Sequence, residues 1–454
     1  MRILQLLLLL PATATAYLGP ALQALPARAP PARALPSRAL PPPTLLFSAP
    51  PAASSPAASS PAPIRVGVIG CGRIGLVHMK AIQSVPGCAV TMCSNPTLAK
   101  AEAAAAAFGV PVATADARDV LTSKDVDAVW ICSPSQYHAE QIVLAAENGK
   151  HVFCEKPISN NLEEAVEAVL ACRERGVKLM IGLQRRFDPN FRRVKEAVDK
   201  RQVGEELVQI KLCSRDPGAP PKSYVEGGGG LFVDMAVHDL DMSRFLAGAE
   251  PLAVLAVGST KIDASIADLP GSEKFDTASI MVKYPKGVVA TIDVCRQSSY
   301  GYDQRAEVLG TGGMIVTENV YPSTAHLYTP EFTGNADMPL DFFLQRYDQA
   351  YIDESVAFCT SLVNNLPPPC EGRDGLIALV MAKAADMSAE LGRWVEPSEV
   401  VSKVFCDERG KCRLMCDDDL LPEGFQPSET IDELMVQEGE QGGVAGFFAK
   451  LFGN

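Results

Sequence analysis

The feature that most constrains the fold is a glycine-rich turn that directly follows a buried strand. Residues 65–69 have the apolar pattern of such a strand, and a Gly-x-Gly-x-x-Gly motif at residues 70–75 leads into a helical stretch. In this context the glycines permit a tight turn, a close approach of the backbone to a pyrophosphate and close helix packing. Free N–H groups at the helix start attract the anion. The predicted dinucleotide-binding residues of the turn are Gly70, Gly72, Arg73, Ile74 and Gly75.

The order of strands and helices predicts an α/β protein with two folded domains. Strands and helices alternate over residues 64–184, which predicts a parallel, doubly wound sheet of the Rossmann type. Over residues 185–396 the strands follow one another with helices only near 233–246 and 351–363. That order indicates a substrate-binding and oligomerisation domain of the α+β type, on a largely antiparallel open sheet. Residues 397–454 are predicted to form an acidic C-terminal tail.

The first 63 residues have the character of a targeting leader. Residues 1–16 combine a short apolar run with a small-residue cleavage site, which is typical of a signal peptide. Residues 17–63 are rich in Ala, Pro and Ser and contain no acidic residue, which is typical of a transit peptide. The tandem, with Tyr17 after the cleavage site, resembles the bipartite leaders of algae with complex plastids, and predicts a plastid protein. The alternative is a secretory signal followed by a disordered linker, with export or residence in the endomembrane lumen.

Charge and cysteine content exclude several classes of protein. A formal net charge of −13 without a basic stretch argues against a nucleic-acid partner. The leader's apolar run is too short for a membrane span, so no integral membrane segment is expected in the mature chain. The 13 cysteines lack any Cys-x-x-Cys pair, which predicts neither a metal site nor a disulfide framework and suits a reducing compartment. The tail contains three cysteines, Cys406, Cys412 and Cys416. In a plastid they would form a light-responsive disulfide. The alternative is that these cysteines have no special role.

The end of the second predicted strand lacks the acidic residue that usually binds the adenosine ribose. A carboxylate is expected about 20 residues after the glycines, but Ser94 and Asn95 lie there, and the first carboxylate of the whole sequence is Glu102. Ser94, Asn95, Thr97 and Lys100 would accept a 2′-phosphate, because the repulsion that normally rejects it is missing. Alternatively, Ser94 and Asn95 bind the ribose of NAD. The choice between NAD and NADP therefore stays open.

Three further segments have residues suited to oxidising an alcohol. Lys156 ends a strand of the first domain, which places it beside the nicotinamide unless it is only a solvated charge. Asp234 and His238 are four residues apart, so on a helix they share a face, and the carboxylate would orient the imidazole. An ordinary surface ion pair has the same spacing. Residues 299–305 are dense in hydroxyl, amide and charged groups, which suits either a polyol or a polar hairpin edge.

In these motifs the chain resembles the glucose–fructose oxidoreductase and inositol dehydrogenase superfamily, in particular its inositol 2-dehydrogenase branch. The resemblance extends from about residue 65 to 396, and its motifs occur in the family order. They are residues 70–75, 155–157, 182–188, 214–217, 234–238 and 301–305.

The resemblance implies roles for individual residues. Implied catalytic residues are Lys156, Asp234 and His238. Implied substrate-binding residues are Arg185, Asp216 and Tyr302. Ser133 and His138 are implied to flank the cofactor, and Glu155 is a further predicted cofactor-binding residue. Ser94 and Asn95, also predicted to bind the cofactor, depart from the family, whose inositol branch mostly has an acidic residue at this point.

The expected reaction is the reversible oxidation of a ring secondary alcohol, with myo-inositol giving 2-keto-inositol as the leading case. His238, oriented by Asp234, would take the hydroxyl proton, and Lys156 would stabilise the developing alkoxide. Hydride would pass to NAD or NADP, and no metal is needed. The alternatives are a sugar or trans-dihydrodiol dehydrogenase of the same superfamily, and a non-catalytic NAD(P)-binding sensor. By family analogy the protein would be a homo-dimer or homo-tetramer.

Overall fold

The computed structural model describes residues 63–405, and the first half of this range forms a six-stranded parallel sheet. Its strands are β1 (Ile64–Ile69), β2 (Cys88–Ser94), β3 (Val112–Thr114), β4 (Ala128–Ile131), β5 (His151–Glu155) and β6 (Leu179–Gly182). They lie in the order β3-β2-β1-β4-β5-β6. The helices between them are α1 (Arg73–Gln83), α2 (Leu98–Phe108), α3 (Ala117–Thr122), α4 (His138–Glu147) and α5 (Leu162–Glu174). Every residue of β4 and β6 is buried, as expected for parallel strands covered on both faces.

The second half forms another six-stranded sheet in which only β7 and β10 are parallel neighbours. Its strands are β7 (Leu207–Arg215), β8 (Ala253–Ser259), β9 (Thr277–Lys283), β10 (Val289–Cys295), β11 (Asp303–Gly310) and β12 (Gly313–Thr317). The order is β12-β11-β7-β10-β9-β8, and a separate hairpin pairs β13 (His326–Leu327) with β14 (Asn335–Ala336). Buried and exposed residues alternate along β9, so one face is packed and the other is open. The predicted fold class is confirmed.

The second half of the described range also contains seven α-helices, and some of them contact the first half. They are α6 (Pro189–Asp199), α7 (Lys222–Val225), α8 (Val237–Ala247), α9 (Phe343–Arg346), α10 (Asp348–Val363), α11 (Gly372–Leu391) and α12 (Pro397–Phe405). Helix α10 packs on α1, and α11 contacts both α5 and the second sheet at β8. The chain beyond residue 340 therefore joins the predicted domains.

Several helices differ from the prediction. The helix expected at 233–246 is a π-helical turn at Phe232–Ala236 followed by α8. Helix α11 was not predicted, because it is apolar on most sides and has no clear amphipathic period. Its capping box, formed by Glu371 and Asp374, is the sequence signal that marks its start.

The folded part of the chain continues past residue 396, where the acidic tail was predicted to begin. Helix α12 covers the first nine residues of that tail, and its Val400 and Val401 side chains are buried. Burying these two side chains attaches the helix to the domain. The leader, the rest of the tail and its three cysteines lie outside the described residues. Among the helices that are described, none is both long and apolar enough to cross a membrane.

Candidate active site

The glycine turn between β1 and α1 has the shape that a dinucleotide needs. A Cβ on Gly70, whose φ is 95°, would lie 2.5 Å from the carbonyl oxygen of Cys132, and one on Gly75 would lie 1.9 Å from that of Gly70. A Cβ on Gly72 would meet no atom of residues 63–405 within 4 Å, so this glycine borders open space in that part of the chain. Among the described residues, no side chain caps the start of α1, which leaves its first N–H groups available to an anion. The turn therefore fits the pyrophosphate of a dinucleotide.

The loop after β4 is held next to Lys156 by a buried histidine. The two ring nitrogens of His138 lie 2.7 Å from the carbonyl oxygen of Pro157 and 2.8 Å from that of Ser133. Burial lowers the pKa of His138, despite these two carbonyl groups. The hydroxyl of Ser133 donates to Gln141. His138 thus positions the backbone on both sides of the predicted nicotinamide site.

Lys156 extends from the first domain to the second. It follows directly after β5, and its Nζ donates to the backbone carbonyl oxygen of Asp234 at 2.7 Å. The same Nζ lies 3.7 Å from the Asp234 carboxylate. Glu155, the preceding residue, is held by the ring of His78, with 2.7 Å between Oε1 and Nε2.

The predicted contact between Asp234 and His238 is wrong in this structure. Asp234 Oδ2 accepts from Arg296 at 3.0 Å, and Oδ1 accepts from the Tyr224 hydroxyl at 3.2 Å. His238 Nδ1 is buried and has no hydrogen-bond partner among the described residues. A guanidinium binds a carboxylate more strongly than a neutral imidazole does, so Arg296 takes the position that helical spacing assigned to His238.

The nearby cations set the charge of both groups. Burial lowers the pKa of His238 far below its usual value, and the charges of Lys156 and Arg185 lower it further. Burial alone would raise the pKa of Asp234, but Lys156 and Arg296 outweigh it and hold this pKa below its usual value. At neutral pH the site therefore combines a neutral imidazole, which is able to accept a proton, with an ionised carboxylate.

Two of the three predicted substrate residues are packed inside the second domain. Arg185 is 4% exposed, donating to Asp239 at 2.7 Å and to Ser214 at 2.9 Å. Tyr302 is also buried, with its ring edge-on to that of Tyr347. Arg185 thus contributes its charge to the site from within a buried ion pair with Asp239.

Asp216, the third predicted substrate residue, titrates near neutral pH. Burial, with a smaller contribution from the charge of Asp234, raises its pKa to about 7 against the opposing charges of Arg296 and Arg185. A carboxyl group in this state both donates and accepts hydrogen bonds, which suits a ligand rich in hydroxyl groups.

Models of known protein families match both halves of the chain. Residues 64–183 match the oxidoreductase family with an NAD-binding Rossmann fold, and residues 191–316 match the GFO/IDH/MocA C-terminal domain. The chain belongs to the GFO/IDH/MocA family of oxidoreductases.

Curated relatives in this family are similar over nearly their whole length. The inositol 2-dehydrogenase of Rhizobium meliloti is 39% identical over 71% of this chain and 96% of its own. The myo-inositol 2-dehydrogenase of Thermotoga maritima is 36% identical over 74% of this chain and 100% of its own. A solved structure, scyllo-inositol dehydrogenase from Lactobacillus casei with bound NAD(H) and scyllo-inositol, superimposes with a TM-score of 0.68. It is 28% identical and covers 74% of this chain and 99% of its own.

Sequence reasoning missed three groups that face this GFO/IDH/MocA site or lie behind it. Asp234 is bound by Arg296, which is 62 residues away in the sequence, and by Tyr224, which is ten residues away. His78, Glu155 and Glu354 bring their nitrogen and oxygen atoms within 4.8 Å of one another, a set that is able to ligate a metal ion. The sequence had predicted no such cluster, because its members come from α1, β5 and α10. Both carboxylate oxygens of Glu354 are buried and have no hydrogen-bond partner among the described residues.

Proposed function

We propose that the protein is an NAD(P)-dependent dehydrogenase that oxidises a ring secondary alcohol of a cyclitol, with myo-inositol, giving 2-keto-inositol, as the first substrate to test. One observation carries this proposal: Lys156, from the first domain, contacts Asp234 on the π-helical turn that leads to His238. Because the charge of Lys156 also reaches the buried ring of His238, an ammonium group and a neutral imidazole would act on one substrate. The inositol dehydrogenases among the relatives support the choice of substrate.

The residues of the site suit the transfer of a proton away from an alcohol. His238 accepts the hydroxyl proton, because burial and two cations keep its ring neutral. Lys156 stabilises the negative charge that develops on the oxygen, and Asp234 keeps the ammonium group in place. When bound, the nicotinamide cofactor supplies the hydride acceptor. Asp216 binds a further hydroxyl of the ring.

The proposal is tested by assaying the purified protein against a panel of inositols, sugars and trans-dihydrodiols, with NAD and with NADP. We expect reduction of the cofactor with at least one inositol. Turnover of a sugar or a dihydrodiol alone would favour the related dehydrogenases. Cofactor binding without any turnover would favour a sensor protein.

We propose in addition that the open face of the second sheet mediates a homo-dimer or homo-tetramer. Apolar side chains lie exposed along several of its strands, among them Val257 on β8, Met281 on β9 and Val316 on β12. Exposed apolar surface of this kind is typical of an interface between subunits. Light scattering should give a mass of two or four chains, and Val257→Glu should reduce it.

For the leader, we propose that residues 1–63 direct the protein to a plastid through two successive signals. The tandem of an apolar signal and an acid-free segment supports this proposal. In an alga with a complex plastid, a fluorescent reporter fused to residues 1–63 should enter the organelle. Secretion of the reporter, or its retention in the endomembrane lumen, would favour the alternative.

A further inference from the structure

The carboxyl end of β2, where the adenosine ribose of a Rossmann cofactor binds, presents no negative side chain. Ser94 ends the strand, and its carbonyl oxygen accepts a 2.9 Å hydrogen bond from Gly70 N in the glycine turn. Asn95 follows, and its Nδ2 donates to the carbonyl oxygen of Thr97 at 3.2 Å. This end of β2 therefore lies against the cofactor turn and carries only neutral groups.

A buried hydroxyl at this point is left without a partner. Ser94 is 1% exposed, and its Oγ forms no hydrogen bond within the part of the chain that the structure describes. An unpaired buried hydroxyl is unfavourable, so ligand atoms that reach it gain affinity. This oxygen is a second feature, besides the missing carboxylate, that indicates a ligand here.

Helix α2 adds positive potential next to Ser94. The helix begins directly after Thr97, whose side chain does not cap it, and its first turn contains no acidic residue. Its free N–H groups and dipole attract an anion, and Lys100, which is exposed in the same turn, adds a full positive charge.

The acidic side chains on the neighbouring strand–helix connection are already engaged. Thr114 pairs with Ser94 across β2 and β3, and its hydroxyl donates to Asp119. Asp116 caps α3 by accepting from the backbone of Arg118 at 2.9 Å. Both carboxylates thus have structural roles in α3.

We propose that the end of β2 binds the 2′-phosphate of the adenosine ribose, so that NADP is the preferred cofactor of this chain. This inference rests on the proposed function as a dinucleotide-dependent dehydrogenase and specifies its cofactor. The amide of Asn95, the side chain of Lys100 and the first turn of α2 form the phosphate site. NAD loses affinity here, because the usual carboxylate that accepts from both ribose hydroxyls is absent.

Isothermal titration of the full chain with NADP and NAD tests the proposal without turnover. The same titrations with 2′-phospho-ADP-ribose and ADP-ribose isolate the adenosine end, since these probes lack the nicotinamide. We expect the 2′-phosphorylated member of each pair to bind about tenfold tighter, as hydrogen bonds to a charged group allow. Raising the salt concentration should reduce this ratio. Equal or tighter binding of the unphosphorylated members would overturn the proposal.

Asn95→Asp is the decisive variant, because it restores the missing carboxylate. It should shift the ratio of the two affinities by about tenfold or more toward NAD, since the phosphate and the carboxylate repel each other. Asn148→Asp is the matched control: Asn148 also donates its amide to a backbone carbonyl, but at the far end of α4. An unchanged ratio in Asn95→Asp would refute the site.

The two proposals fail in different ways. If the cofactor inference fails, a cyclitol is still oxidised, but with NAD and not with NADP. If the proposed function fails, NADP still binds more tightly than NAD, but no alcohol in the panel is oxidised with either cofactor.

Discussion

At the scale of single residues, the site depends on charges that come from distant parts of the chain. Burial lowers the pKa of His238 and the charges of Lys156 and Arg185 lower it further, while Lys156 and Arg296 keep Asp234 ionised. The reacting groups therefore depend on one another, and a change in one alters the titration of the others.

Removing either reacting side chain should abolish most of the turnover. We expect His238→Ala to lower kcat by about 10²–10⁴-fold, the usual contribution of a general base. Lys156→Ala should also lower kcat, and because it removes a charge that lowers the pKa of His238, the acid limb of kcat/KM should move to higher pH. Steady-state kinetics across pH measure both effects. Near-normal rates in either variant, with Lys124→Ala as a surface control, would remove that residue from the mechanism.

Asp216 should make substrate binding depend on pH near neutrality. Its pKa of about 7 means that the carboxylate form becomes dominant above that pH. Because a carboxylate accepts hydroxyl hydrogen bonds more strongly than a neutral carboxyl group, KM should fall as the pH rises through about 7. In Asp216→Asn the KM should be higher and nearly constant over this range. Equal KM profiles for the two proteins would exclude Asp216 from substrate binding.

At the scale of elements, the glycine turn serves both packing and cofactor binding. Gly75 is required for contact between α1 and the turn, whereas Gly72 faces open space. The two functions are therefore separable by mutation.

Gly72→Ala should mainly change the affinity for the cofactor, whereas Gly75→Ala should mainly change the stability of the fold. Gly72→Ala should leave the melting temperature nearly unchanged, but weaken cofactor binding about tenfold or more, as an added methyl group does in a tight site. Gly75→Ala should lower the free energy of unfolding by about 1–3 kcal/mol or more, because its Cβ would overlap a backbone oxygen. Titration and thermal melts distinguish the two results, and equal loss of stability in both variants would contradict this assignment.

At the scale of the whole molecule, the chain beyond residue 340 returns to the first domain. Helix α10 packs on α1, and Glu354 lies 3.9 Å from His78 across this contact, measured from Oε1 to Nε2. Lys178 of the first domain donates to the carbonyl oxygens of Ser361 and Leu366 at 2.7 Å each. These contacts hold the cofactor half and the substrate half in a fixed position relative to each other.

Glu354 should make stability fall as the pH rises. Burial, with Glu155 nearby, raises its pKa far above the usual value, so the folded protein keeps a proton that the unfolded chain releases above about pH 4.3. Stability due to this group is present below that pH and is lost as the pH rises toward the folded-state pKa. Glu354→Gln should raise the melting temperature at neutral and alkaline pH. The half-buried Asp353→Asn is the control, and parallel pH profiles for Glu354→Gln and the parent would contradict the prediction.

Local patterns were enough to predict the framework of the protein. The glycine spacing, the alternation of strands and helices, and the motif at residues 155–157 depend on near neighbours in the chain, so they predicted the Rossmann sheet and the position of Lys156. The capping box of α11 was also readable, but the buried surface on most sides of that helix hid it from an amphipathic pattern.

The contacts that set the chemistry were decided only by the tertiary structure. Asp234 binds Arg296 instead of His238, because β10 brings a guanidinium to the π-helical turn. The cluster of His78, Glu155 and Glu354 assembles from three elements that no spacing rule connects. Sequence patterns record periodicity along the chain, whereas ion pairing and desolvation depend on which distant groups meet, so the sequence determined the fold and its motifs, and the packing of the two halves determined the charges of the site.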